Sequence, residues 1–165
     1  MKSYQRLASL TKIEQSYARS SEKQDDFAFA FENRTHNVFA AIGGNRSGKS
    51  IVAGWMCFAR YLRDVAVSGD IFWCVAPTID KSIAGQQKEL WDCLPKWMFG
   101  KQSYDAKSGF GRTNSNIILK IAGGHEIVVR FKTAAQYDSD PASFEQEKVR
   151  GVWIDETVPE GLYKR

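Results

Sequence analysis

The string Gly43-Gly44-Asn45-Arg46-Ser47-Gly48-Lys49-Ser50 constrains this chain more than any other. It fits G-x-x-x-x-G-K-[ST], a phosphate-binding loop that needs a strand before it and a helix after it. Residues 37–42 (NVFAAI) form a short apolar run upstream, read as a buried strand. Downstream, Ile51, Trp55, Phe58 and Leu62 recur at helical spacing, with Val52, Met56 and Ala59 alongside. A strand-to-helix turn of this kind predicts an α/β chain.

The residue types in the loop specify a ligand class. Gly43, Gly44 and Gly48 let the backbone approach phosphate with no Cβ in the way. The amides of residues 44–50, Asn45 and Ser47 among them, then face the ligand, and the amino end of the helix adds attraction for negative charge. Lys49 reaches the β- and γ-phosphates, and the Ser50 hydroxyl ligates Mg²⁺. The expected ligands are ATP and Mg²⁺; the competing reading is a glycine-rich turn with a solvated lysine. The generic pattern does not require Arg46. Its guanidinium suits the γ-phosphate and its transition-state charge, against the plainer role of a surface or ion-paired arginine.

A hydrolytic P-loop site also needs carboxylates at the end of a buried strand. Residues 149–156 read VRGVWIDE, and the apolar Val152, Trp153 and Ile154 lead into Asp155-Glu156. Asp155 suits Mg²⁺, directly or through its water, and Glu156 suits the base that activates the attacking water. Strands often end in acidic residues for solubility, so this run gains its meaning from the loop about a hundred residues upstream.

GGNRSGKS paired with VWIDE resembles the ATPase domain of the large terminase subunit of tailed bacteriophages. Three further stretches carry the resemblance: Lys23-Gln24 with Phe27, residues 127–136 (IVVRFKTAAQ), and residues 155–163 (DETVPEGLY). It covers about residues 23–163, with its specificity in the two motifs. The resemblance implies that Gln24 contacts adenine and that Arg46 stands at the Walker-A arginine position. It implies a three-layer P-loop NTPase sandwich with a mostly parallel central sheet, of the additional-strand catalytic-glutamate type. It also implies double-stranded DNA, a small terminase subunit and a portal protein as partners, a homo-oligomeric ring, and the host cytoplasm with transient residence on the procapsid. The family's Ser/Thr-rich coupling motif and acidic nuclease cluster have no counterpart in these residues. Arg150 is the one arginine just before the acidic pair that is a candidate for an inter-subunit finger.

Composition sets the outer limits. The chain has 165 residues, one domain's worth, with 43% hydrophobic and 13% aromatic content, enough for a core. No apolar run approaches the ~18 residues of a membrane span, and the first residues lack the apolar centre of a signal peptide. Cys57, Cys74 and Cys93 are widely spaced without a C-x-x-C pair and read as buried thiols; His36 and His125 read as surface residues. The net charge of +4 is spread along the chain, so contact with DNA rests on the resemblance rather than on charge.

The organisation predicted is an amphipathic helix and linker over 1–22, then the ATPase domain over 23–165. Leu7, Leu10, Ile13 and Tyr17 mark the helix, and residues 20–26 read as linker. Residues 70–76 read as a strand ended by Pro77, with Thr78 capping a helix to about Cys93. Residues 94–112 read as an excursion, 116–121 and 126–132 as a hairpin, and 137–146 as a loop. The leading function is an ATPase motor domain for DNA packaging. Another P-loop ATPase acting on DNA, or a nucleotide-binding fragment with little turnover of its own, fits the same motifs.

Overall fold

The structure, a computed structural model, describes residues 20–33, 39–40, 48–111, 116–145 and 147–155. The chain divides into two compact units, Met1–Val65 with Asp92–Pro95, and Ala66–Trp91 with Lys96–Arg165. The helix expected near the N-terminus lies outside the described residues. So does most of the strand expected over 37–42, of which Phe39 and Ala40 are described and belong to no strand.

In the first unit, α1 (Glu22–Glu32) starts inside the stretch read as a linker. Gln24 reaches back so that its Oε1 accepts from the Ser21 amide at 2.9 Å, and Glu22 and Asp25 sit in the first turn where the helix dipole favours negative charge. Polar composition here marks a helix start, not a linker. The second helix, α2, comprises Ile51–Ala59, wound in wide turns whose bonds span five residues, and Arg60–Asp64. The two helices share a core of Ala28, Val52, Met56 and Cys57, with Phe27 and Phe31 packed on it. Phe39 stands edge-on to both rings, at 5.9 Å and 5.3 Å. The stripe buried on α2 is Val52, Met56, Ala59 and Leu62, while Ile51 at the head of the expected stripe is 37% exposed. This helix is apolar on more than one side, so sequence spacing alone could not pick the face that α1 covers.

The second unit is built on a four-stranded, mostly parallel sheet in the order β2-β3-β1-β4. β1 (Ile71–Ala76) lies between β3 (Glu126–Thr133) and β4 (Gly151–Ile154), parallel to both, and β2 (Asn116–Lys120) is antiparallel to β3. β1 is apolar throughout because a central parallel strand is covered on both faces. β2 and β3 form the expected hairpin, turning through Gly123 and Gly124 at φ +80° and +77°, which favour glycine. The outer edge of β2 is occupied. The Ile118 amide donates to Gln102 Oε1 at 3.1 Å, and Gln102 Nε2 donates back to the Ile118 carbonyl. That pairing blocks addition of a further strand on this side.

After Pro77, Thr78 caps α3, its Oγ1 accepting from the Lys81 amide. The helix runs through Ile79–Ser82, Ile83–Gln87 and Lys88–Cys93. The excursion of 96–111 is ordered rather than loose. It contains a helical turn, Lys96–Phe99, and a bridge between Asp105 and Gly109. Phe99, Phe110 and Phe131 stack in series, which seats the segment on β3. Gln87 Oε1 accepts from the Phe110 amide at 3.0 Å, and Tyr104 donates to the Ile83 carbonyl at 3.0 Å.

Register places Trp73 beside Arg130 and Val75 beside Lys132 on the other face. There the segment read as a loop folds into α4 (Ala134–Ser139) and a turn, Pro141–Phe144. Phe144 is the reason: it stands edge-on to Trp73 at 5.3 Å and to Tyr137 at 5.4 Å, and Lys132 Nζ lies 4.6 Å from its ring centre. Among the described residues no helix is long and apolar enough to cross a membrane. Cys57, Cys74 and Cys93 are free and buried, and His125 is exposed, as the sequence predicts.

Candidate functional site

Helical geometry begins at Lys49, and the Val52 amide donates to the Gly48 carbonyl at 3.0 Å. Gly48, Lys49 and Ser50 therefore open α2, as the motif requires. Amides in the first turn of a helix point outward along its axis and suit an anion. Lys49 is half-buried and Ser50 is exposed. Gly48 has φ +80°, and a Cβ built on it would stand 2.5 Å from Gln24 Nε2. Only glycine fits both the backbone angle and the space. Gln24, expected from the resemblance to meet adenine, thus lies against the last glycine of the loop. Its Oε1 is engaged in capping α1 and its Nε2 is turned towards the loop. Gly43, Gly44, Asn45, Arg46 and Ser47 lie outside the described residues.

In the second unit, Asp155 follows directly on β4, at the carboxyl end of a parallel strand, where open α/β sheets bind ligands. Its amide donates to the Val75 carbonyl at 3.0 Å, so the ladder between β1 and β4 continues to this residue. The carboxylate is half-buried, and its Oδ2 is 3.6 Å from where a Cβ on Gly85 would be. The Cys74 thiol on β1 is pushed well up from its ordinary value, first by burial and then by the negative charge of Asp155. Arg150 is exposed, and its amide donates to the Ile71 carbonyl at 2.8 Å where β4 begins. Glu156 lies outside the described residues.

Sequence reading missed Gln86. It is 1% exposed, and its Nε2 donates to the Trp153 carbonyl at 2.8 Å and the Val75 carbonyl at 3.3 Å. It therefore joins the ends of β1 and β4 one turn before Asp155 emerges. The signal was present: Gln86-Gln87 is a polar pair in a helix whose Ile83, Leu90 and Cys93 are buried. A buried amide pair implies specific partners.

No family model matches the chain, and no curated protein or solved structure does.

The available donors suit ATP with Mg²⁺. Gly48 leaves the cradle a Cβ would fill, and Gly85 leaves space beside Asp155. The oxygens of Ser50 and Asp155 are hard donors of the kind Mg²⁺ takes. Among the described residues no group of three or more His, Cys, Asp or Glu could hold a metal. A Mg²⁺ bound through these residues would depend on phosphate oxygens and water for its other ligands, which is its usual habit beside a nucleotide. A separate cleft of about 240 Å³ is lined by Arg130, Lys132, Gln136, Ser139, Asp140 and Ser143, none of them an expected site residue.

Proposed function

We propose that this chain is an ATP-binding and ATP-hydrolysing P-loop domain of the kind that drives DNA packaging in tailed bacteriophages. The pairing of GGNRSGKS with VWIDE carries the reading. It is supported by a helix that opens at Gly48-Lys49-Ser50 and by an acidic residue at the end of a buried parallel strand.

In this reading the loop amides and Lys49 hold the triphosphate. Ser50 and Asp155 supply protein oxygens to Mg²⁺, which neutralises charge on the phosphates when bound. Glu156 takes a proton from the water that attacks the γ-phosphorus, in line with the departing ADP oxygen. Arg46 stabilises the charge that builds on the transferring group. Gln24, held against the loop, orients the nucleotide through the base. Double-stranded DNA is the partner on which hydrolysis acts, in a ring of subunits assembled with a small subunit and a portal.

The test is direct. Calorimetry on the 165-residue chain should detect ATP binding that requires Lys49, and phosphate release should rise when double-stranded DNA is added. ATP binding undiminished in Lys49→Ala would sink the site. Phosphate release indifferent to DNA would redirect the function to another P-loop ATPase.

A further inference from the structure

The turn of α3 that meets the strand ends holds two residues of opposite character. Gly85 has no side chain, and Gln86 is a long amide that is fully buried. Both belong to the wide-turn stretch Ile83–Gln87. Gln86 Nε2 spans the Val75 and Trp153 carbonyls. The Val75 carbonyl also accepts from the Asp155 amide, so one carbonyl ties together β1, α3 and the backbone of Asp155. Gln86 Oε1 has no donor among the described residues. An amide buried with half its capacity unused contributes little to stability over an apolar residue of the same shape. Its value then lies in fixing the strand end.

Gly85 contributes by being small. The nearest atom to a Cβ built there is Asp155 Oδ2, at 3.6 Å. A methyl group would fit in ordinary van der Waals contact. It would also displace whatever water or hydrated ion approaches that oxygen from the helix side. Mg²⁺ gives up water reluctantly and binds carboxylates through or alongside retained waters, so it needs such space.

We propose that Gly85 and Gln86 form a positioning element for Asp155, Gln86 locking the strand end that carries the carboxylate and Gly85 keeping open the side from which a hydrated Mg²⁺ reaches Oδ2. This rests on the nucleotide-binding reading above and adds two positioning residues to it. Neither touches the nucleotide; both act through Asp155.

The experiment measures ATP affinity of the full chain by calorimetry in EDTA and at graded Mg²⁺, for the parent, Gly85→Ala, Gln86→Met and Asp155→Ala. Methionine keeps the length of glutamine and removes the donors. The expected result is unchanged affinity in EDTA for both positioning variants, with the Mg²⁺ enhancement reduced about tenfold, the scale on which residues behind a metal ligand act. Melting temperature serves as the second readout. Gly85→Ala should melt higher, because it replaces a helical glycine by the best helix former. Its loss of Mg²⁺ enhancement then cannot be ascribed to unfolding. Full enhancement in Gly85→Ala, or in a Gln86→Met chain folded by circular dichroism, overturns the inference while Asp155→Ala loses it. Enhancement that survives in Asp155→Ala overturns the metal role of Asp155 itself, and the positioning element falls with it.

Discussion

Gln24 Nε2 occupies the space where any side chain at position 48 would begin, 2.5 Å from the site of a Cβ on Gly48. The contact links a capped helix to the end of the phosphate loop. It gives the glycine a second reason to be there, beyond its left-handed backbone.

Gly48→Ala should therefore destabilise the first unit by about 1–3 kcal/mol, from the strained backbone angle together with displacement of Gln24. Urea unfolding of Gly48→Ala and of the double variant with Gln24→Ala measures the two parts. The double variant should recover the part due to crowding and keep the part due to φ. Equal stability of the single and double variants would show that Gln24 gives way without cost.

Lys49→Ala should abolish ATP binding, whereas Glu156→Gln should bind ATP and release no phosphate above background. Binding and single-turnover hydrolysis measured on the same preparations separate the two roles. Full turnover by Glu156→Gln would remove it as the base.

Burial pushes the Cys57 thiol up to about 12, from an ordinary 9.0. The folded chain thus holds this proton where the unfolded chain has released it. Cys57 therefore contributes its full stabilisation below about pH 9, and that contribution is lost as pH rises towards 12. Stability should fall by about 1.4 kcal/mol per pH unit from this thiol alone within that window. Urea midpoints between pH 8 and 10.5 test it. Cys57→Ala should be less stable at pH 8 and show a shallower decline.

Glu147 accepts from Trp73 Nε1 at 3.3 Å and pairs with Arg130. Glu147→Ala removes both partners and should cost about 1–3 kcal/mol, while also changing the environment of the Trp73 indole. Thermal melts followed by tryptophan fluorescence read both effects. An unchanged melting temperature would mean that water replaces the carboxylate without loss.

Much of the second unit was legible because local signals and burial agreed. Residues 70–76 are apolar without interruption and stop at a proline, and the hairpin strands flank Gly123-Gly124. What escaped depends on contacts distant in sequence. Polar residues 20–26 look like a linker until Gln24 is seen capping α1, and residues 137–146 look like a loop until Phe144 meets Trp73. In the candidate site, Lys49, Ser50 and Asp155 follow from motif letters. Gln86 belongs to no motif. Its role exists only where two strands and a helix converge, so no spacing rule could have found it.

The Gln102 clasp on β2 gives the sheet a direction of growth. With one margin closed by a side-chain amide, among the described residues the only margin open to a further strand is that of β4. Val152 stands 47% exposed there. Any strand that joins this sheet, from this chain or another, must align beside the segment ending in Asp155. Enlargement of the fold and adjustment of its most acidic strand end would then be a single event.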